Sequence, residues 1–177
     1  MGRPDEAGPA RGPTCIGKEA KNDNSTRLSE TSVEVPITIR FGDTDPYGVV
    51  YFASYFRYCH HGIEDFLRQN GLPPHQLFRN VEEGFGLPVV GAACDFLRPV
   101  KYGDELRLNV SITRAGKKAL TFGFHFYHKE NGELVARGHA TVVAIDRSWK
   151  STALPDRIRK AVEPFLPPET SDSVNQA

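Results

Sequence analysis

Two aspartates, Asp43 and Asp45, lie in a turn that contains Gly and Pro and leads directly into a long helical pattern. The first N–H groups of a helix have no internal acceptors and carry the positive end of its dipole. Such donors can hold a carbonyl oxygen as it becomes an oxyanion. A nearby carboxylate can attack the carbonyl carbon or activate a water to do so. An Asp before a helix is also a common cap or turn former, so residue types alone leave both interpretations open.

The residues after Asp45 are suited to a substrate pocket. We predict that Gly48 permits close approach of the substrate, since it has no side chain. Apolar and aromatic side chains are typical of the walls of such a pocket. The residues predicted to contact an acyl group are Val49, Val50, Tyr51, Phe52 and Tyr55.

The elements around this turn predict an α+β fold. Alternating apolar residues over 33–41 are typical of a half-buried strand, and a helical period begins at about residue 54 and stops at Gly71. A short helix at 75–79 and a C-terminal helix at 154–165 are also predicted. An antiparallel sheet curled around the long helix would bury its apolar stripe. The remaining strands, predicted as a meander, cover 87–98, 106–112, 120–126 and 134–145.

The domain organisation follows from composition. The 177 residues, 39% of them hydrophobic, suffice for one domain with a core of its own. Residues 1–31 offer little to bury and are predicted to be a disordered extension. The globular domain is predicted to span 32–167, and 168–177 to form a flexible tail.

Charge and cysteine content narrow the class of protein. The 22 basic and 22 acidic residues balance, which disfavours nucleic-acid binding through the overall field. No apolar stretch is long enough for a membrane span. The three cysteines form no CxxC pair and are odd in number, which favours reduced thiols in the cytoplasm.

Two segments resemble one known family. The string DTDPYGVVYFASY is similar to the signature of the 4-hydroxybenzoyl-CoA thioesterase family of hotdog proteins, and ACDFLRPVKYGDEL is similar to a later segment of that family. The resemblance covers about residues 33–165. It implies the hotdog fold, a curled antiparallel sheet wrapped around one long helix. It also implies a homodimer or homotetramer with active sites at the subunit interface.

The resemblance also implies roles for individual residues. Asp45 falls on the family's catalytic carboxylate, acting as nucleophile or general base, and Phe52 would give its backbone N–H to the oxyanion hole. Many relatives associated with the Tol-Pal cell-envelope system carry His where this chain has Phe52. The VVYFA and FLRP strings look more like thioesterases that act on 1,4-dihydroxy-2-naphthoyl-CoA, which favours an aromatic acyl group.

A hairpin turn matches the family's CoA-phosphate contacts. Two cations on a turn suit a phosphate ligand, but a solvated turn explains them equally well. The residues at these positions are Gly116, Lys117 and Lys118.

The remaining alternatives concern metal and function. His60 and Glu64 have a spacing that can bind zinc, but no HExxH pattern is present. We therefore predict an acyl-CoA thioesterase with no metal and no cofactor, CoA being part of the substrate. A thioesterase for acyl-carrier-protein substrates and a non-catalytic acyl-CoA-binding hotdog remain the alternatives.

Overall fold

The computed structural model describes residues 32–166. The predicted disordered extension (1–31) and flexible tail (168–177) lie outside the described residues. The strands of the main layer are β1 (Ser32–Thr38), β4 (Val89–Phe96), β5 (Glu105–Ala115), β6 (Ala119–His128) and β7 (Leu134–Val143). They form a five-stranded antiparallel sheet in the order β1-β5-β6-β7-β4.

One long helix, α1 (Phe52–Gln69), packs across the inner face of this sheet. Ile63 and Phe66 of the helix are almost fully buried, as are Phe122 and Phe124 of β6. The helix approaches β5 closely at Gly62, where an added Cβ would lie 2.8 Å from the Leu108 Cδ2 atom. These contacts bury the helical stripe against the alternating strand residues and confirm the predicted α+β architecture.

The predicted meander is correct for β5, β6 and β7 and wrong for β4. β4 pairs with β7, from Val89 opposite Val142 to Phe96 opposite Ala136, instead of with its neighbour in sequence, β5. The segment 97–104 carries the chain back across the end of the sheet. It is held there because Val50 N–H donates to the Val100 carbonyl. Strand alternation does not encode which edge a strand joins.

Short elements complete the domain. The predicted helices near 75 and 154–165 are present as α2 (Pro74–Leu77) and α3 (Asp156–Val162), the latter followed by a 3₁₀ turn over Glu163–Phe165. A second sheet was not predicted, because two-residue strands have no readable period. It consists of β2 (Arg79–Asn80), β3 (Phe85–Gly86) and β8 (Ile145–Asp146).

The edge strand β4 is unusually open. Among its apolar residues, Val90 is 61% exposed and Phe96 48% exposed. The long hydrophobic edge therefore has no cover within residues 32–166. The same described range contains no helix with the length and apolar character needed to cross a bilayer.

Candidate active site

The turn that carries Asp45 is closed by its own backbone. Thr44 and Val50 face each other in an antiparallel bridge, and Asp45 N–H donates to the Val49 carbonyl at 2.9 Å. Gly48 N–H in turn donates to the Asp45 carbonyl at 2.9 Å. Gly48 has φ of 75°, a conformation that a side chain disfavours. The predicted substrate residue Gly48 is thus placed in the tip of the turn, where its backbone conformation is required.

The Asp45 carboxylate has one anchored and one free oxygen. Its Oδ1 accepts the Tyr47 N–H at 2.9 Å, which forms an Asx turn. Within residues 32–166 its Oδ2 has no hydrogen-bond or ion-pair partner. Asp45 is partly buried at the mouth of a cleft. The anchored oxygen fixes the carboxylate, and the free oxygen can take a proton or attack a carbon atom.

The start of α1 supplies hydrogen-bond donors beside this carboxylate. Phe52 is the first helical residue, and the preceding Tyr51 gives no side-chain cap. The first turn contains no acidic residue. In the described part of the chain no acceptor contacts the Phe52 N–H. The positive end of the helix dipole is therefore available to an oxyanion.

A cleft of about 340 Å³ brings half of the predicted site residues together. It is lined by both Asp45 and Phe52, the first residue of α1. Tyr51 does not line it; the residue is 45% exposed, and its ring packs on Phe52 with ring centroids 4.6 Å apart. The other predicted residues that line the cleft are Val49, Val50 and Tyr55.

The opposite wall of the cleft comes from residues that sequence reasoning did not assign to the site. Phe96 ends β4 and packs against the Tyr55 ring with centroids 4.9 Å apart. Arg98 stands at the rim, where its Nε donates to Glu133 at 2.8 Å. The sequence feature that contains these residues is the FLRP string, which favoured an aromatic acyl group but was not used to predict site residues. The complete wall is Phe96, Leu97, Arg98, Pro99 and Val100.

Burial alters the phenol of Tyr55. Its pKa is raised to about 12, first by burial and then by the nearby Cys94. The hydroxyl therefore stays protonated at neutral pH and remains a hydrogen-bond donor.

The structure does not bring the predicted CoA residues to this cleft within one chain. The Asp45 turn lies beside the start of β5, since Val49 bridges Lys101. Gly116, Lys117 and Lys118 follow the other end of β5, which at 3.3–3.4 Å per residue is roughly 30 Å away. Lys118 Nζ donates to the Ser151 Oγ at 3.1 Å. A role at this cleft would need the hairpin of a second chain.

Asp43, the other aspartate of the pair, is part of the framework instead of the cleft. It is only 8% exposed, and its carboxylate is paired with the Arg57 guanidinium. Its Oδ2 accepts the Arg40 N–H at 2.8 Å. Of the two aspartates, only Asp45 lines the cleft.

The His60–Glu64 pair lies on the outer side of α1. Glu64 contacts His60 Nε2 at 3.2 Å and Arg68 at 2.7 Å, and it does not line the cleft. Within residues 32–166 no group of three or more potential metal ligands is found. Ion pairs along the helix therefore account for the Glu64 side chain at this position.

An antiparallel sheet wrapped around one long helix is the hotdog fold, and in this chain the turn that carries Asp45 precedes the N-terminus of that helix. The chain belongs to the Thioesterase-like superfamily, whose model matches residues 39–162.

Similar proteins carry the names of enzymes that act on aromatic acyl-CoA thioesters. The chain is 36% identical over 134 residues to a 1,4-dihydroxy-2-naphthoyl-CoA hydrolase of Synechococcus sp. (strain WH7803), covering 72% of this chain and 86% of that protein. The crystal structure of a 1,4-dihydroxy-2-naphthoyl-CoA thioesterase from Synechocystis superposes with a TM-score of 0.68 at 29% identity, covering 74% and 95% of the two chains. A gentisyl-coenzyme A thioesterase superposes with a TM-score of 0.65 at 25% identity, covering 73% and 99%.

Proposed function

We propose that this protein hydrolyses acyl-CoA thioesters to the free acid and CoA, with Asp45 as the catalytic carboxylate. The observation that carries the proposal is the shared cleft, which is lined by Asp45, whose Oδ2 is free, and by Phe52, the first residue of α1. Acyl transfer from a thioester needs a nucleophile or base on one side of the carbonyl and donors for its oxygen on the other.

The reaction follows from this placement. The thioester carbonyl oxygen accepts the Phe52 N–H, whose donor strength is raised by the helix dipole. Asp45 Oδ2 either attacks the carbonyl carbon or removes a proton from a water that does so. The C–S bond breaks, and the CoA thiolate leaves and is protonated. In the first route, water then cleaves the acyl–Asp45 anhydride; in both, the products are the acid and CoA.

An aromatic acyl group suits the cleft best. Three aromatic side chains, Phe52, Tyr55 and Phe96, line it together with Val49 and Val50. Flat rings gain edge-to-face or offset contacts with such walls in addition to apolar burial. The dihydroxynaphthoyl substrates in the names of the relatives support the same choice.

We further propose that the working enzyme is a homodimer or homotetramer assembled through β4. The strand presents an exposed apolar edge, and a second copy is its natural partner in a closed symmetric assembly. Antiparallel pairing of two β4 strands sets the Val89 end of one against the Phe96 end of the other. The Val89 end lies near the 116–118 hairpin, because Val142, its partner in β7, pairs with Leu120. Such a dimer would bring Lys117 of the second chain towards the cleft.

The proposal includes neither metal nor organic cofactor, CoA being part of the substrate. We propose a cytoplasmic location because Cys59 and Cys94 both have free thiols, which a reducing compartment maintains.

Thiol release from a panel of substrates tests the proposed function. We expect kcat/KM to be highest for naphthoyl- and hydroxybenzoyl-type CoA thioesters and lower for short aliphatic ones. The same acyl group carried on acyl-carrier protein is expected to react more slowly than on CoA. A higher kcat/KM for the acyl-carrier-protein thioester would mean that the acyl group is carried on that protein instead of on CoA. Tight acyl-CoA binding without turnover would contradict the enzymatic proposal.

A further inference from the structure

Asp43 joins three separate parts of the chain that surround the Asp45 turn. Its carboxylate accepts the Arg40 N–H at the start of the turn. Its backbone carbonyl accepts the Tyr51 N–H at 2.8 Å, at the end of the turn. The same carbonyl accepts the Ser54 hydroxyl from α1 at 3.1 Å. The position of Asp43 therefore determines where the Asp45 turn lies relative to the helix N-terminus.

Arg57 holds Asp43 from the second turn of α1. Its Nη2 donates to the Asp43 carboxylate and lies 3.3 Å from the Ser54 Oγ. The Asp43 side chain is 11% exposed, whereas that of Arg57 is 49% exposed. A carboxylate so little hydrated needs a positive partner, because its own desolvation is costly. The Arg57 guanidinium is thus the main positively charged partner of the buried Asp43 carboxylate.

The surroundings of the pair contain one more polar group. The Tyr58 hydroxyl is buried and interacts with the Asp43 carboxylate, and the Tyr58 ring lies 5.8 Å from the Arg57 guanidinium carbon. Burial raises the pKa of Tyr58, and the Asp43 carboxylate raises it further. A neutral phenol at this place cannot replace the charge of Arg57.

We propose that Arg57 is a positioning residue, which acts through Asp43 to set the distance between the Asp45 carboxylate and the start of α1. The proposal rests on the proposed function, in which Asp45 performs the hydrolysis. Arg57 is not among the residues that line the cleft, and it makes no hydrogen bond or ion pair with Asp45. Its loss is expected to move the turn without removing any group that contacts substrate.

Kinetics of Arg57→Ala, Arg57→Lys and Arg68→Ala test the proposal. Arg68→Ala is the matched control, because Arg68 lies on the same helix and makes two ion pairs with Glu64 and Asp65. We expect Arg57→Ala to lower kcat by roughly 10- to 100-fold, since a displacement of about 1 Å has effects of that size. KM is expected to change little. Lysine keeps the charge but not the planar fork, so Arg57→Lys should recover part of the loss.

Two further measurements separate positioning from general destabilisation. In an Asp45→Asn background, Arg57→Ala should cause no additional loss, because the group it positions is already gone. Amide hydrogen exchange over residues 44–52 should be faster in Arg57→Ala and unchanged in Arg68→Ala.

The outcomes distinguish this inference from the proposed function. An Arg57→Ala variant no slower than Arg68→Ala, or unchanged exchange over 44–52, would overturn the positioning role. Full additivity with Asp45→Asn would also overturn it. If Asp45→Asn itself stayed active, the proposed function would fail, while the exchange data would still decide whether Arg57 holds the turn.

Discussion

Gly62 is where the central helix comes closest to the sheet, and its replacement by Ala tests that packing. A Cβ at this position would lie 2.8 Å from Leu108 Cδ2 and 2.9 Å from Val110 Cγ2. Both β5 residues are fully buried, so their methyl groups cannot turn towards solvent. Ala gains about 1 kcal/mol over Gly in helix propensity. Overpacking of a core costs about 1–3 kcal/mol, which outweighs the gain.

We therefore expect Gly62→Ala to lower the free energy of unfolding by about 1 kcal/mol, or about 3 °C in Tm. The assay is urea and thermal unfolding followed by circular dichroism, with Gly42→Ala as control. Gly42 has no atom within 4 Å of an added Cβ, and its variant should stay within about 0.5 kcal/mol of wild type. A Gly62→Ala variant as stable as wild type would refute the close approach of α1 to β5.

Two other predictions concern the outer sheet face and the open edge. The pKa of His125 is lowered in the folded protein, first by burial and then by Arg137. Below pH about 6.5 the unfolded chain therefore binds more protons than the folded protein, and the free energy of unfolding falls as the pH falls. His125→Gln should lose less stability than wild type between pH 7.5 and 5.5 in urea unfolding; an equal loss would contradict this. Ala92 is exposed on β4, and Ala92→Glu should convert a dimeric or larger wild type into a monomer in sedimentation velocity, because a charge on an edge strand opposes pairing. A monomeric wild type would rule out assembly through β4.

The sequence predicted those elements whose residues repeat over several turns or alternations. The long helix and the strands over 106–112 and 120–126 have clear periods, and the structure confirms them with small changes in their ends. The edge joined by β4 was predicted wrongly, because its position depends on the crossing of 97–104 beneath Val50. No local pattern records that crossing.

Only part of the candidate site was predicted, because the rest depends on tertiary packing that no local pattern records. Asp45 and the start of α1 adjoin in sequence, so their proximity follows from a turn before a helix. Phe96 reaches the cleft only through tertiary packing against Tyr55. The role of Asp43 in joining the Asp45 turn to α1 depends on Arg57, which lies fourteen positions later in the chain. Composition does not indicate that the two residues pair. The assigned roles of these residues remain predictions.

The most direct test of the account is the turnover of an aromatic acyl-CoA by Asp45→Asn. Asn keeps an oxygen that can accept the Tyr47 N–H, so the turn should persist while the base or nucleophile is lost. Asp146→Asn is the control, since Asp146 also accepts a backbone N–H two residues later, from Ser148, but lies outside the cleft. We expect kcat of Asp45→Asn to fall by about 10²- to 10⁴-fold and that of Asp146→Asn to be nearly unchanged. Retention of most activity by Asp45→Asn would contradict the account.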